Sequence, residues 1–171
     1  LPRPLSAFPK FALRAMGQPA NERTLIGTLS APGIVGINAV RFVSIIDERW
    51  LLIFSAAASS IAFDFIIKVK GRSNIHEDDL RGLPLIEGPV MELASARLLR
   101  LAALTQHYAN VWRCCFTPAY NADTFTSPDP RLALETPWSA LTADWQRGSA
   151  LRTHFARRQA LLEIDVLVAL A

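Results

Sequence analysis

From Trp50 to Ile67 the chain carries one charged side chain, Asp64, in an otherwise apolar and small-residue run. A transmembrane span needs about 20 predominantly apolar residues. With Ser55, Ser59, Ser60 and Asp64 inside it, this run reads instead as a buried helix, apolar nearly all round and so packed across a sheet. Asp47 is placed to cap its start, and Glu48 suits the positive end of the helix dipole. Gly71 is a natural C-terminal cap, with Lys68 and Lys70 in the last turn. The expectation is one long helix from about Glu48, delivering Lys68-Val69-Lys70-Gly71-Arg72-Ser73-Asn74-Ile75 to an exposed corner.

The residues before this helix have strand character. Phe11–Met16 reads as a short strand, Gln18-Pro19-Ala20-Asn21 as a turn, and Arg23–Ser30 as a second strand. Ala31-Pro32-Gly33 is another turn. Ile34–Ile46 then reads as one or two strands carrying Ile34, Ile37, Val40, Phe42, Val43, Ile45 and Ile46. After the helix, Asn74–Leu85 is expected to form a short connecting helix and an extended exit, with Pro84 blocking continuation. Glu77, Asp78 and Asp79 suit that helix's N-terminus better than a cation site.

From Pro89 the period changes. Ala94, Leu98, Leu101, Leu104, Tyr108 and Val111 recur at helical spacing between Val90 and Arg113. Thr117–Thr136 is a loop. Thr136-Pro137 signals a helix start, with Trp138, Leu141 and Trp145 on one face of a short helix. Gly148-Ser149 should open a last helix with Leu151, Phe155, Leu162 and Ile164 inside and Arg152, Arg157 and Arg158 outside. The fold class expected is α/β, a small mixed sheet with a buried helix, followed by an all-α segment. The boundary divides the chain into residues 1–89 and 90–171.

The formal net charge is +3, and all of that excess lies up to Arg81; from Gly82 onward the charges balance. Such a distribution fits a polyanion-facing half and a neutral scaffold half, or a solvated surface with ordinary fluctuation. Cys114 and Cys115 are adjacent, a spacing that favours neither a mutual disulfide nor a metal site, so they read as reduced thiols on a helix in a cytoplasmic protein. The chain opens on Leu1-Pro2-Arg3-Pro4 and stops in the apolar run Leu167–Ala171, which reads as a piece of a longer polypeptide.

Enzyme chemistry finds little purchase. No Gly-x-Ser-x-Gly elbow accompanies His76, His107 or His154. Asp64 before Lys68 and Lys70 lacks the second carboxylate a nuclease site needs. Gly33 and Gly36 do not form a phosphate-cradling loop. What remains is nucleic-acid contact. Arg14, Gln18, Asn21, Arg23 and Arg41 lie on or beside the strands and turns of the basic half, and Arg, Gln and Asn can read guanine and adenine edges bidentately. Lys68, Lys70, Arg72, Ser73, Asn74 and His76 lie at the helix exit, where Lys, Ser and backbone amides serve phosphates.

Several segments together resemble a known family. Arg14-Ala15-Met16, Asn21–Leu29 and Ala31-Pro32-Gly33 are similar to the start of the target-recognition region in single-chain restriction–modification methylases, the type IIG-like enzymes and related large methylases of phage-defence systems. Phe63-Asp64-Phe65 through Lys70-Gly71, Ser73-Asn74 and Leu83-Pro84-Leu85 resembles the helix and proline-terminated exit of that region; a broadly similar exit occurs in type I specificity subunits. Arg97–Trp112 resembles a following helical segment, and Leu151-Arg152-Thr153 with Arg157–Leu161 and Glu163–Ala169 the C-terminal helical element. The resemblance implies adenine-N6 methylation of double-stranded DNA with S-adenosylmethionine, by an upstream domain of the same parent that flips the target base. Neither Asn-Pro-Pro-Tyr nor a glycine-rich cofactor loop occurs here, so no catalytic residue is carried over and the cofactor belongs to the absent domain. The alternative is an interaction module that docks other subunits of a defence complex, with Arg152, Arg157 and Arg158 facing protein.

Overall fold

The computed structural model describes residues 4–18 and 20–171. Pro19 of the expected turn lies outside them, but the turn's closing bond is present, Asn21 N–H donating to Gln18 O at 2.9 Å. Three strands form a sheet of order β2-β1-β3: β1 (Lys10–Arg14), β2 (Gly27–Ser30) and β3 (Val40–Val43). Pairing is antiparallel throughout, with Phe11 opposite Leu29 and Val43, and Leu13 opposite Gly27 and Arg41. A mixed sheet is not formed, because neither connection between strands carries the helix that a parallel crossover requires. Both later strands are shorter than expected. Ile34, Val35, Ile37 and Ile46 lie outside β3 and are exposed, Ile46 fully.

Phe11, Leu13 and Leu29 are buried on one face of the sheet, where Phe54 of α1 (Glu48–Ala58) meets Phe11 edge to face at 5.6 Å between centroids. Asp47 caps α1 as expected, accepting from Arg49 N at 2.8 Å and Trp50 N at 3.2 Å. The long helix expected from Glu48 to Lys68 is two helices. α1 stops at Ala58, and α2 (Ile61–Lys68) departs at 71°. The hydroxyls cause the break: Ser55 and Ser59 donate back to carbonyls four residues earlier, and the Ser60 oxygen accepts from Phe63 N at 3.3 Å, starting a new helix. Among the described residues no single helix is long and apolar enough to cross a membrane.

The short helix expected after Asn74 is α3 (Glu77–Arg81), opened by its three acids. In the second half, α4 (Pro89–Ala102) and α5 (Ala109–Cys115) replace the continuous helix expected from Val90 to Arg113, and Leu104 at the break is exposed. Thr136-Pro137 opens only a 3-10 turn at Trp138–Ala140, so Trp138, Leu141 and Trp145 share no helix face. The last helix, α6 (His154–Leu170), begins at the Thr153 cap rather than at Gly148, and Leu162 points outward.

The core runs from the sheet through α1 into α4 and α6 without a break at Pro89. It includes an arginine that no apolar pattern announces. Arg97 is 3% exposed and spends all its donors: Nε on Glu163, Nη1 on Asp123 and Leu93 O, Nη2 on Asp123 and Thr124 O. A buried cation is tolerable only when paired and hydrogen-bonded in this way.

Candidate nucleic-acid interface

Two loops distant in sequence form one surface at the end of β1. Ile75 N–H donates to Ala15 O at 2.8 Å, and Met16 and Asn74 form an antiparallel bridge. Gly17 packs against the second loop so closely that a Cβ there would lie 2.8 Å from Arg72 O. Lys68, at the end of α2, donates to Asn21 O at 2.7 Å and Glu22 O at 3.4 Å. Just beyond, the buried Asp64 carboxylate accepts Thr24 N–H at 2.6 Å and Leu25 N–H at 2.5 Å. The first loop is thus held at both ends, and Gln18, Asn21, Arg72, Ser73 and Asn74 stand exposed along it and its neighbour.

A second carboxylate organises the cations. Asp79, 3% exposed, accepts His76 N–H at 2.9 Å and faces Lys70 Nζ at 3.3 Å and Arg72 Nη1 at 3.4 Å. Burial by itself raises this carboxyl, but the His76 N–H bond and the Lys70 and Arg72 charges outweigh it and hold the group below the usual carboxylate range. Two cations share one acid, which leaves a net positive charge. Lys68 meets only neutral carbonyls among the described residues, so no acid there neutralises its charge. Arg14 donates from Nε to Met16 O at 2.9 Å at the edge of the same surface.

The corner therefore gathers Arg14, Gln18, Asn21, Lys68, Lys70, Arg72, Ser73, Asn74 and the exposed His76. Two of the sequence candidates stand elsewhere. Arg23 turns to the far helix and pairs with Asp165 at 2.8 Å. Arg41 shares the sheet face of Leu13 and lines a groove between β3 and α3. Sequence reasoning missed the two organisers, Asp64 and Asp79. The signal for Asp64 is its isolation in an apolar helix, since a carboxylate buried there must have donors waiting.

Chemically the surface offers cations, amides and hydroxyls, the groups that hold phosphodiesters and base edges, and no activated nucleophile. Comparison with protein-family models, curated proteins and solved structures finds no match to this chain.

Proposed function

We propose that this chain holds double-stranded DNA on the corner built by the Ala15–Thr24 and Val69–His76 segments. In this reading it is the sequence-recognition part of a cytoplasmic restriction–modification DNA adenine-N6 methyltransferase. The transfer from S-adenosylmethionine belongs to a catalytic domain outside this chain. The observation that carries the reading is the convergence itself. Seven of the residue positions suited to DNA contact come from two remote loops and meet on one pinned surface, with Arg14 of β1 and Lys68 of α2 beside them. Lys68, Lys70 and Arg72 fix register on phosphates, and Gln18, Asn21 and Asn74 are the side chains with reach and chemistry for adenine edges.

The test is fluorescence anisotropy of the chain with random-sequence duplex at rising salt. Affinity that falls steeply with salt supports phosphate contact, because bound cations release condensed counterions. Absence of binding at low salt rejects it. A second reading, a protein-interaction module of a phage-defence complex, is favoured by the exposed apolar side chains of α2 (Ile61, Phe65) and α6 (Leu162, Val166, Leu170). Salt-indifferent capture of a partner subunit would support that reading instead.

A further inference from the structure

The two edges of the sheet are treated differently. Arg14 N–H donates to Ile26 O, so in the alternating antiparallel pattern Gly27 and Leu29 turn their backbone groups away from β1. On that edge the Tyr108 hydroxyl occupies Leu29 O, donating to it at 3.0 Å. On the other side Ala15 N–H donates to Ala39 O, which places Arg41 and Val43 on β1 and turns the backbone groups of Val40, Phe42 and Ser44 outward. The Val40 N–H is used by Ile37 O. Val40 C=O, both groups of Phe42 and Ser44 N–H face a groove of about 600 Å³ instead of a strand. Exposed edges are normally blunted by charge, bulge or cover, and this one borders the exposed Val35 and Ile37.

The groove's walls specify what would fill it. Arg41 and Val43 lie on its sheet side, on the face that also carries Leu13 and Phe11. Phe54 and Leu80 supply apolar surface, and Arg81 stands opposite, already paired with Glu77 at 2.6 Å. Arg41 has no ionic partner among the described residues. A strand laid antiparallel on this edge exchanges two hydrogen bonds with Phe42. Its neighbours on either side then point into the groove, one against Val43, Phe54 and Leu80, the other against Arg41. A second copy of β3 does not meet this demand, because Val40–Ser44 carries an arginine and no acid.

We propose that the β3 edge is a docking site for an extended segment of a partner protein, added as a fourth strand, with an apolar residue and an acidic residue two positions apart. This is β-strand addition, in which backbone bonds supply affinity and alternate side chains supply selectivity. It uses Arg41 and no residue of the DNA corner, so either proposal stands without the other.

The probe is an end-capped, fluorescein-labelled peptide, Thr-Thr-Val-Thr-Glu-Thr-Thr, titrated with the chain and compared with the same peptide carrying Lys in place of Glu. The Glu peptide should bind saturably and about tenfold more tightly than the Lys peptide, the scale of one ion pair exchanged for a repulsion. Arg41→Glu should reverse the preference. Arg41→Gln, a milder change at an exposed site, should abolish it with the fold intact by circular dichroism. N-methylation of the central Thr amide, which removes the bond to Phe42 O, should eliminate binding. Lack of saturable binding at millimolar chain, equal affinity for both peptides, a preference unmoved by either Arg41 variant, or indifference to N-methylation would each overturn the proposal.

Discussion

Arg23 and Asp165, 142 positions apart in the chain, join Nη2 to Oδ2 at 2.8 Å. The same carboxylate accepts Ile61 N–H at 2.6 Å, capping α2 from α6. One acid of the last helix therefore ties the loop before β2 and the start of α2 to the helical half. The pair is partly exposed, so its Coulombic part is screened, and Arg23→Ala should cost only about 1 kcal/mol. Asp165→Ala also strips the cap from Ile61 and should cost about 2 kcal/mol. Urea unfolding of the two variants and their double mutant measures the coupling. If the chain binds DNA, Arg23→Ala should leave its sequence preference unchanged.

Asp64 Oδ1 accepts two backbone N–H groups, those of Thr24 and Leu25. Asp64→Ala leaves both buried and unsatisfied, at a cost of about 3 kcal/mol, while Asp64→Asn keeps one acceptor and should lose less. Hydrogen exchange at Thr24 and Leu25 should accelerate in the alanine variant even where the rest of the fold persists; unchanged exchange would remove Asp64 from its anchoring role.

Glu163 is buried, and burial alone raises its carboxyl, yet the bonds from Gln159, Arg97 and Thr126 together hold it below the usual range. A folded-state value lower than the unfolded one means that the charged form stabilises the fold above about pH 5. That contribution is lost as the pH falls through the lowered value. Glu163→Gln should cost about 3 kcal/mol at pH 7, because Arg97 loses one of its two acids. The variant's stability should also vary less than the parent's between about pH 5 and 3. Parallel stability curves in acid would contradict this assignment.

Lys68 spends its donors on Asn21 and Glu22 carbonyls and keeps its charge, whereas Lys70 and Arg72 share the Asp79 carboxylate. If the corner holds DNA, Lys68→Gln should lower the salt-dependence slope by about one and weaken all sequences alike. Lys70→Gln should reduce it less, because Asp79 already neutralises part of that charge.

The adjacent thiols should behave differently. Cys114 is exposed and Cys115 buried. Burial pushes both thiols up, and nearby Glu48 adds to it; Cys115 is driven to about 12. Iodoacetamide at pH 8 should modify one thiol slowly and reach the second only on unfolding. Mass spectrometry of the native and unfolded chain reads the outcome directly; rapid double labelling would refute the burial of Cys115.

Features set by local chemistry were legible in the chain itself. The Asp47 cap and the acidic opening of α3 depend on a few neighbouring residues and are found where local pattern puts them; the first strand, Lys10–Arg14, begins one residue before and ends two before the expected bounds, and α2 has its C-cap at Val69, with Gly71 adopting positive φ two residues later. Periodicity misled where a polar group could choose between partners. Ser60 could continue one helix or cap another, and the second prevails because Asp165 also arrives to accept Ile61 N–H. Arg97 and Arg100 are buried, which apolar periodicity does not indicate, because acids and carbonyls from remote loops surround them.

The candidate surface divides the same way. Residue types alone marked the basic half and its helix exit. Only the three-dimensional packing brought the Ala15–Thr24 loop against the Val69–His76 loop, turned Arg23 away to Asp165 and left Arg41 on an open strand edge. Hydrogen bonds between residues dozens of positions apart decide such matters. Their energy depends on partners that no stretch of neighbouring sequence contains.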